Sequence, residues 1–223
     1  ANIRTIRSIP LHINLSALGI RRMEVRGEAV MLLEDFQALN NARQEAGEST
    51  YANPRNVCAG TMRLQEAAEV SRRKISAFLY HISVLEGVEG TTPDRQYPTQ
   101  SSRLNLLREL GFPTPPDAGC ARGIDAVHGR CTWWEYRRDN LPFEIDGCVV
   151  KLDDIQGQDL LGSTAHHPSW AMAFKFPARL ATSVLREIEV NVGRTGNITP
   201  VAIIDPVPIG GVTVSRVSLH NYN

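Results

Sequence analysis

Lysine, aromatic residues and net charge are all scarce in this chain of 223 residues. Only three lysines occur, aromatic residues make up 6%, and 24 basic side chains balance 24 acidic ones. Zero net charge excludes a globally basic nucleic-acid binder of the histone type, although it leaves room for a local basic site. No apolar run approaches the ~20 residues of a membrane-spanning helix. Residues 1–20 mix arginine with proline and histidine, which is not the pattern of a secretory signal.

Cysteine is also scarce, and its spacing excludes the common metal motifs. The four cysteines are Cys58, Cys120, Cys131 and Cys148, and no two of them form a C-x-x-C pair. This spacing argues against zinc, so we predict no metal site in this chain. Without a secretory signal, free buried thiols in a reducing cytoplasm are expected.

The rest of the composition is that of an ordinary globular protein. It is 42% hydrophobic and 22% charged, and 223 residues suffice for one domain or a domain and a half. Twenty-one of the 24 basic residues are arginine. Two interpretations remain open: the base composition of the genome, or recognition of phosphate by the two-pronged guanidinium group.

The hydrophobic patterns predict an α+β fold followed by a segment of a different texture. From residue 184 onward, short β-branched runs separated by Gly and Pro are typical of an all-β domain. We therefore predict a domain boundary near residue 182, with one domain over 1–182 and the first strands of another over 183–223. Strands are predicted at 21–32, 75–85, 142–152, 170–176, 184–193, 198–207 and 212–219, and helices at 33–46, 54–63, 101–110 and 124–138.

Two lysines stand out because each ends a run of apolar or small residues. Lys151 follows Gly147 and three further residues of one predicted strand, and Lys175 lies near the end of another. A lysine in a buried strand is costly unless an anion or a carboxylate faces it. With Glu28 and Asp146 available as carboxylates, the pair suggests a cleft that holds a phosphate. The alternative is two lysines at strand ends that point into water.

Seven short segments together resemble one known family. They are Asn2–Pro10, Glu24–Glu28, Tyr51–Asn56 with Ala59-Gly60, Phe143–Lys151, Trp170–Pro177, Val192–Gly196 with Thr199–Ala202, and Val214–Arg216 with Leu219–Asn221. In this order and at these spacings, the chain resembles the adenylation domain of an NAD-dependent bacterial DNA ligase running into the start of its OB-fold domain. The resemblance covers nearly the whole chain.

The resemblance implies a fold and a reaction. The fold would be a nucleotidyltransferase, with ATP-grasp-like antiparallel sheets and flanking helices, followed by an incomplete OB-fold β-barrel. In that family a lysine attacks the α-phosphate of NAD and keeps AMP. The AMP then passes to the 5′-phosphate of a nick in double-stranded DNA, and the 3′-hydroxyl displaces it in DNA replication and repair. NAD is thus the implied source of AMP, and Mg²⁺ or Mn²⁺ is the metal expected from the family.

The resemblance also implies roles for individual residues. Glu28 would contact the nucleotide, Lys151 and Lys175 would line the AMP and neutralise its phosphate, and Asp146 would belong to the same constellation. The expected contacts with the nick phosphates and the DNA backbone come from a further set: Arg55, Arg63, Arg138, Arg194 and Thr195.

The family's nucleophile is the lysine of a K-x-D-G sequence, and no K-x-D-G occurs in these 223 residues. Lys151 comes closest, but it follows Asp146-Gly147 and so matches a later family motif. We therefore expect the chain to be an internal part of a ligase that cannot adenylate itself. The remainder of the ligase, including the nucleophile, the rest of the OB fold and a zinc module, would lie outside it. The expected location is the bacterial cytoplasm, at the nucleoid, with no membrane partner.

A second hypothesis is a remnant of a ligase that binds nucleic acid without catalysis. An RNA ligase or a capping guanylyltransferase shares the chemistry but does not usually carry segments like 53–63 and 192–196. Three positions depart from the family or have no assigned role: Cys58, His166 and His167. The two histidines could tune phosphate binding, or they could be exposed loop residues.

Overall fold

A computed structural model describes residues 2–165, 167–194, 196–209 and 212–220. Contacts divide the chain into two compact units, residues 1–176 and 177–223. The predicted boundary near residue 182 falls just inside the second unit and stays a prediction. The first unit mixes helices and strands and the second is built from strands, as the patterns predicted.

Two long antiparallel strands form the frame of the first unit. Strand β1, Ile20–Val30, pairs with β2, Ser76–Gly87, and Glu28 lies opposite Phe78. The register shifts twice within the segment Glu24–Glu28. Gly27 lies there because a Cβ atom at this position would come within 2.3 Å of the Phe78 carbonyl oxygen. The strand pair can therefore close only on a glycine.

Three helices lie between β1 and β2 in the sequence. Helix α1 is Leu33–Glu45, α2 is Pro54–Met62 and α3 is Ala67–Arg72. The side chain of Asn53 accepts a hydrogen bond from the Asn56 backbone N–H at 2.8 Å, and Pro54 takes the first helical position. This start confirms the predicted cap. Helix α3 was not predicted, because six residues are too few to show a helical period.

The main core lies between the β1–β2 sheet and the helices packed on it. Helix α4, Pro93–Gln96, leads into α5, Gln100–Glu109, which Thr99 caps with its side chain. Leu106 and Leu107 of α5 are buried with Ile20 and Ile82 of the sheet. Burial of four large aliphatic side chains stabilises this arrangement by several kcal/mol, at about 1.5–3 kcal/mol each.

The remainder of the first unit is a two-stranded ribbon, with one helix before its first strand and another between its two strands. Helix α6, Ile124–Arg137, precedes β3, Gly147–Lys151, and α7, Ile155–Leu161, precedes β4, Ala171–Lys175. The predicted strand 142–152 was therefore too long. Pro142 has no N–H to donate, and Phe143 turns inward, with its ring 4.8 Å from that of Phe78.

The second unit is a three-stranded antiparallel sheet. Its strands are β5, Leu185–Val192, β6, Ile198–Ile209, and β7, Val212–Ser218, in the order β5-β6-β7. The described strands do not close into a barrel. None of the helices in the described ranges is long and apolar enough to cross a membrane.

Candidate functional site

The β3–β4 ribbon carries both of the lysines that the sequence singled out. Lys151 lies opposite Ala171, and Lys175 lies opposite Gly147. Cross-strand partners share a face, and residues four apart along a strand share it too. Both lysines therefore lie on one face of the ribbon, at opposite ends, about 13 Å apart along the strands. We call these the Lys151 end and the Lys175 end.

The Lys151 end is half-buried and aromatic. The ammonium nitrogen donates to the Tyr80 backbone carbonyl oxygen at 3.3 Å and lies 4.5 Å from the centroid of the Tyr80 ring. Burial lowers the pKa of Lys151 to about 8. In the part of the chain that the structure describes, no carboxylate forms an ion pair with it. A cation held against an aromatic ring is therefore available to an anion that enters from outside.

A second layer of buried polar groups supports the Lys151 end. Gln100 is 6% exposed, and its Nε2 donates to the same Tyr80 carbonyl oxygen at 2.8 Å. The His81 ring lies 5.3 Å from the ring of Trp170, and its Nδ1 is 3.4 Å from Gln100 Oε1. Burial first, and then the positive charge of Lys151, lower the pKa of His81. The neutral ring is thus favoured beside the lysine.

The Lys175 end is exposed and ionic. Lys175 Nζ donates to Asp146 Oδ2 at 2.7 Å, and Arg55 Nη1 lies 3.5 Å from the same oxygen. The three side chains are 68%, 65% and 76% exposed. The hydrogen bond from Lys175 lowers the pKa of Asp146, and the charges of Lys175 and Arg55 add to this effect. One carboxylate therefore holds two cations together at the surface.

The structure gives the two lysines different surroundings. Lys151 is the half-buried last residue of β3, and Lys175 is the exposed last residue of β4. The alternative of a lysine at a strand end therefore describes the position of Lys175, although Asp146 pairs with it. The phosphate cleft stays a prediction. The next residue in the chain, Phe176, is buried.

The other predicted site residues are spread over the first unit. Glu28 is exposed on β1, and its charge adds to the effect of burial in raising the pKa of Tyr80. Arg63 is exposed at the opposite end of α2 from Arg55, about 12 Å along the helix. Arg138 begins a short 3₁₀ turn between α6 and β3. The structure therefore brings Arg55, but not Arg63, to the Lys175 end.

Several predictions concern residues in the second unit or outside the described ranges. Arg194 is exposed in the loop between β5 and β6. Thr195, His166 and Asn221 lie outside the described residues. His167 is exposed in the loop that leads to β4.

The cysteines follow the prediction in part. Cys58 and Cys131 are buried, and Cys131 Sγ lies 3.4 Å from Cys148 Sγ across α6 and β3. Burial raises the pKa of Cys148 to about 12 and that of Cys58 to about 11. Cys120 is exposed, so the expectation of buried thiols was wrong for this residue. It precedes α6 in a loop, where no apolar layer covers it.

Comparisons with known proteins identify both parts of the chain. Residues 1–179 match the family model described as the NAD-dependent DNA ligase adenylation domain. Residues 182–223 match the model of the NAD-dependent DNA ligase OB-fold domain. The chain thus consists of an adenylation domain followed by an OB-fold domain, and it belongs to the NAD-dependent DNA ligase family.

Curated relatives agree with this assignment. A DNA ligase of Aquifex aeolicus is 45% identical over 221 residues, which cover 99% of this chain and 30% of that protein. A DNA ligase of Persephonella marina is 46% identical over 222 residues, with 99% and 31% covered. One of Heliobacterium modesticaldum is 43% identical over 220 residues, again with 99% and 31% covered. The chain spans about 30% of the length of the curated relatives it matches.

Sequence reasoning missed three residues of the Lys151 end: Tyr80, His81 and Gln100. Tyr80 and His81 lie in a run that reads only as a buried strand. Gln100 opens a helix and looks like a solvent-facing polar residue. The one available signal was Thr99, whose capping position fixes the start of α5 and so places Gln100 on its first turn.

Proposed function

We propose that this chain supplies part of the AMP- and nick-binding surface of an NAD-dependent DNA ligase. The ligase would seal nicks with a 5′-phosphate and a 3′-hydroxyl through enzyme-AMP and DNA-AMP intermediates. The observation that carries the proposal is the arrangement of family motif residues on the β3–β4 ribbon, with Lys151 against Tyr80 at one end and Lys175 with Asp146 at the other. The fold proposed for residues 1–182 is the nucleotidyltransferase fold, and residues 183–223 would begin the OB fold.

The two ends of the ribbon suit different parts of an adenylate. At the Lys151 end, an aromatic ring and a desolvated ammonium group offer a stacking surface and a charge. At the Lys175 end, an ammonium and a guanidinium group lie beside one carboxylate, where a phosphate could exchange for the carboxylate. Glu28 would contact the nucleotide from β1. Such a site acts by positioning and by neutralising charge, which is most of what phosphoryl transfer requires.

The proposed DNA contacts are arginines. Arg55 lies beside Asp146 at the Lys175 end, and Arg63, Arg138 and Arg194 with Thr195 are proposed for the nick phosphates and the DNA backbone. A guanidinium group can bind two phosphate oxygens at once. Because the formal net charge is zero, the affinity for DNA would come from these few arginines and not from the charge of the whole chain. The proposed place of action is the nucleoid, in the bacterial cytoplasm.

Divalent metal is expected from the family, but the described residues do not form a site for it. They include no group of three or more His, Cys, Asp or Glu side chains that could hold a metal ion. Asp146 is already engaged by Lys175 and Arg55. We therefore assign no step to a metal held by this chain alone.

The first experiment tests the role of the lysines. The chain is incubated with NAD radiolabelled in its adenylate, and covalent AMP is sought by gel and mass spectrometry. We expect no adduct, because no K-x-D-G occurs in the sequence. A stable AMP adduct on Lys151 or Lys175 would contradict the assignment of both as charge-neutralising residues.

The second experiment asks whether the segment works in a ligase. The chain replaces the matching part of the Aquifex aeolicus DNA ligase, and sealing of a nicked duplex is measured. We expect the chimera to seal nicks and Lys175→Ala to reduce sealing by about 10²–10³-fold, as expected for a lost transition-state contact. Lys74→Ala, on the segment before β2, is the matched control and should leave sealing unchanged. An inactive but folded chimera would favour the non-catalytic remnant.

A second candidate is a remnant of a ligase that binds nucleic acid without catalysis, which the exposed arginines Arg55, Arg63 and Arg194 favour. It predicts that the chain alone binds nicked duplex through its arginines. Binding is measured at several salt concentrations for the wild type and for Arg55→Ala, with Arg21→Ala as the control. A smaller salt dependence in Arg55→Ala alone would indicate a retained DNA surface. Absence of binding at low salt would exclude both a remnant binder and the DNA contact proposed for Arg55 in the isolated chain.

A further inference from the structure

Gln100 is a buried polar side chain whose place the proposed reaction does not explain. It opens α5 and is one of four buried polar or charged residues in the described part of the chain, with Thr61, Arg103 and Gln158. A buried amide that makes no hydrogen bond destabilises the fold. The hydrogen-bond partners of the Gln100 side chain therefore indicate its role.

The contacts of Gln100 converge on Lys151. Its Nε2 donates at 2.8 Å to the Tyr80 carbonyl oxygen, which also accepts from Lys151 Nζ at 3.3 Å. Because they share one oxygen, the two nitrogens lie within about 6 Å of each other. Its Oε1 lies 3.4 Å from His81 Nδ1, and because an amide oxygen only accepts, this contact is a hydrogen bond when Nδ1 carries the proton.

The backbone around Gln100 joins the two segments that meet at Lys151. Its N–H donates to the Asp153 carbonyl oxygen at 2.7 Å, two residues beyond Lys151. The Asp153 carboxylate accepts from the Ser101 N–H at 2.8 Å. The start of α5 is thus fastened to β2 through the side chain of Gln100 and to the end of β3 through Asp153.

We propose that Gln100 is a positioning residue for Lys151: its amide fixes the Tyr80 carbonyl oxygen that holds the ammonium group, and it keeps His81 in place beside it. The importance of Lys151 for AMP rests on the proposed function, but the positioning itself does not. The charged groups that act on the neighbouring Tyr80 and His81 are Arg26 and Glu28 on β1 and Arg103 on α5.

The test measures the protonation of Lys151 directly. The chain contains only three lysines, so labelling with ¹³C,¹⁵N-lysine gives few side-chain signals, which Lys74→Arg and Lys175→Arg assign. The ¹³Cε shift of Lys151 is followed from pH 6 to 11. Glutamate at position 100 puts a carboxylate within about 6 Å of the ammonium, and we expect Gln100→Glu to raise the pKa of Lys151 by about one pH unit or more.

A second variant guards against misfolding of the first. Gln100→Asn keeps an amide but is one methylene too short to reach the Tyr80 oxygen. Lys151 then gains access to water, and its pKa is expected to move upward from about 8. Thr61→Val, a change at a buried polar residue that contacts Arg73 instead, is the matched control and should leave the pKa of Lys151 unchanged. If the folded Gln100 variants titrate like the wild type, the inference is overturned.

A parallel titration separates this inference from the proposed function. AMP is added to the labelled wild type, and the Lys151 signal is followed. A saturable change that is about tenfold weaker in Gln100→Asn would support both ideas. If AMP leaves the wild-type signal unchanged while the Gln100 variants still alter the pKa of Lys151, the nucleotide role fails and the positioning role stands.

Discussion

The two ends of the β3–β4 ribbon contain the same residue type on the same face and differ in almost everything else. At the Lys151 end the ammonium group is half-buried, lies against Tyr80, and has a pKa lowered by burial. At the Lys175 end the ammonium group is exposed and paired with Asp146. The difference shows that the surroundings, more than the side chain, decide what a lysine can do. Among the described residues, Lys151 is a desolvated charge that forms no ion pair with a carboxylate, whereas Lys175 is part of a surface network.

The comparison also shows why one pair of strands can carry a half-buried lysine and an exposed one. The strands are only five residues long, so each end packs against a different neighbour: β2 and α5 at the Lys151 end, and the start of α2 at the Lys175 end. Gly147, the first residue of β3, pairs with Lys175, and its lack of a side chain permits the close contact between the strands. The following predictions test this contrast, from the largest expected effect to the smallest.

The largest effect is expected from Gly147→Ala, which should disrupt both ends at once. A Cβ atom at this position would lie 2.3 Å from the Phe174 carbonyl oxygen and 3.1 Å from Lys175 Cα, so the strands must separate. We expect a loss of about 3 kcal/mol or more in the free energy of unfolding, measured with urea. Gly129→Ala in α6, where nothing lies within 4 Å, should instead stabilise by up to about 1 kcal/mol. Equal behaviour of the two variants would contradict the close contact.

The next effect is the pH dependence that burial gives to Lys151. Its pKa is about 8 in the folded chain and 10.5 in its ordinary state, so between these values only the unfolded chain holds the proton. The free energy of unfolding therefore rises with pH across this window, by up to about 3 kcal/mol. Below the window both states hold the proton, so Lys151 adds no pH dependence there. The measurement is the wild type minus Lys151→Met from pH 7 to 10.5.

Two controls make the Lys151 measurement specific. The raised pKa values of Tyr80 and Cys148 act in the opposite sense at high pH, but both groups are present in each protein and cancel in the difference. Lys175→Met removes an exposed ammonium group and should not reproduce the rise. A flat difference for Lys151→Met would mean that the Lys151 end is open to water.

A smaller effect is expected at the Lys175 end. A double-mutant cycle with Asp146→Asn and Lys175→Met should give a coupling energy of less than about 1 kcal/mol, because both side chains are about two-thirds exposed. The coupling should shrink in 1 M salt, and it should disappear as the pH falls through the lowered pKa of Asp146. A coupling several times larger would show that this end is as buried as the other.

The smallest effect is expected from Arg55→Gln. The guanidinium group is 76% exposed and lies 3.5 Å from Asp146, so the free energy of unfolding should change by less than about 0.5 kcal/mol. Thermal unfolding of this variant, with Arg21→Gln as a matched surface control, checks this value. A larger change confined to Arg55→Gln would assign it a structural role at this end.

Much of the secondary structure could be predicted because it depends on local signals. The cap at Asn53, the proline after it and the apolar periods of α1 and α5 act within one or two helical turns. The strand at 142–152 was overestimated because the turn inward at Phe143 depends on Phe78, more than sixty residues earlier. Short helices such as α3 and α7 were not predicted, because six or seven residues are too few to show the helical period of apolar residues.

For the candidate site, the sequence singled out Asp146, Lys151 and Lys175, because their motifs are contiguous and polar among apolar neighbours. The sequence could not show which lysine would be buried. That depends on β2 and the start of α5, which bring Tyr80 and Gln100 to Lys151 and leave Lys175 at the surface. Motif chemistry is local and can be read from neighbouring residues, whereas desolvation is set by parts of the chain far apart in sequence, and only the tertiary structure decides it.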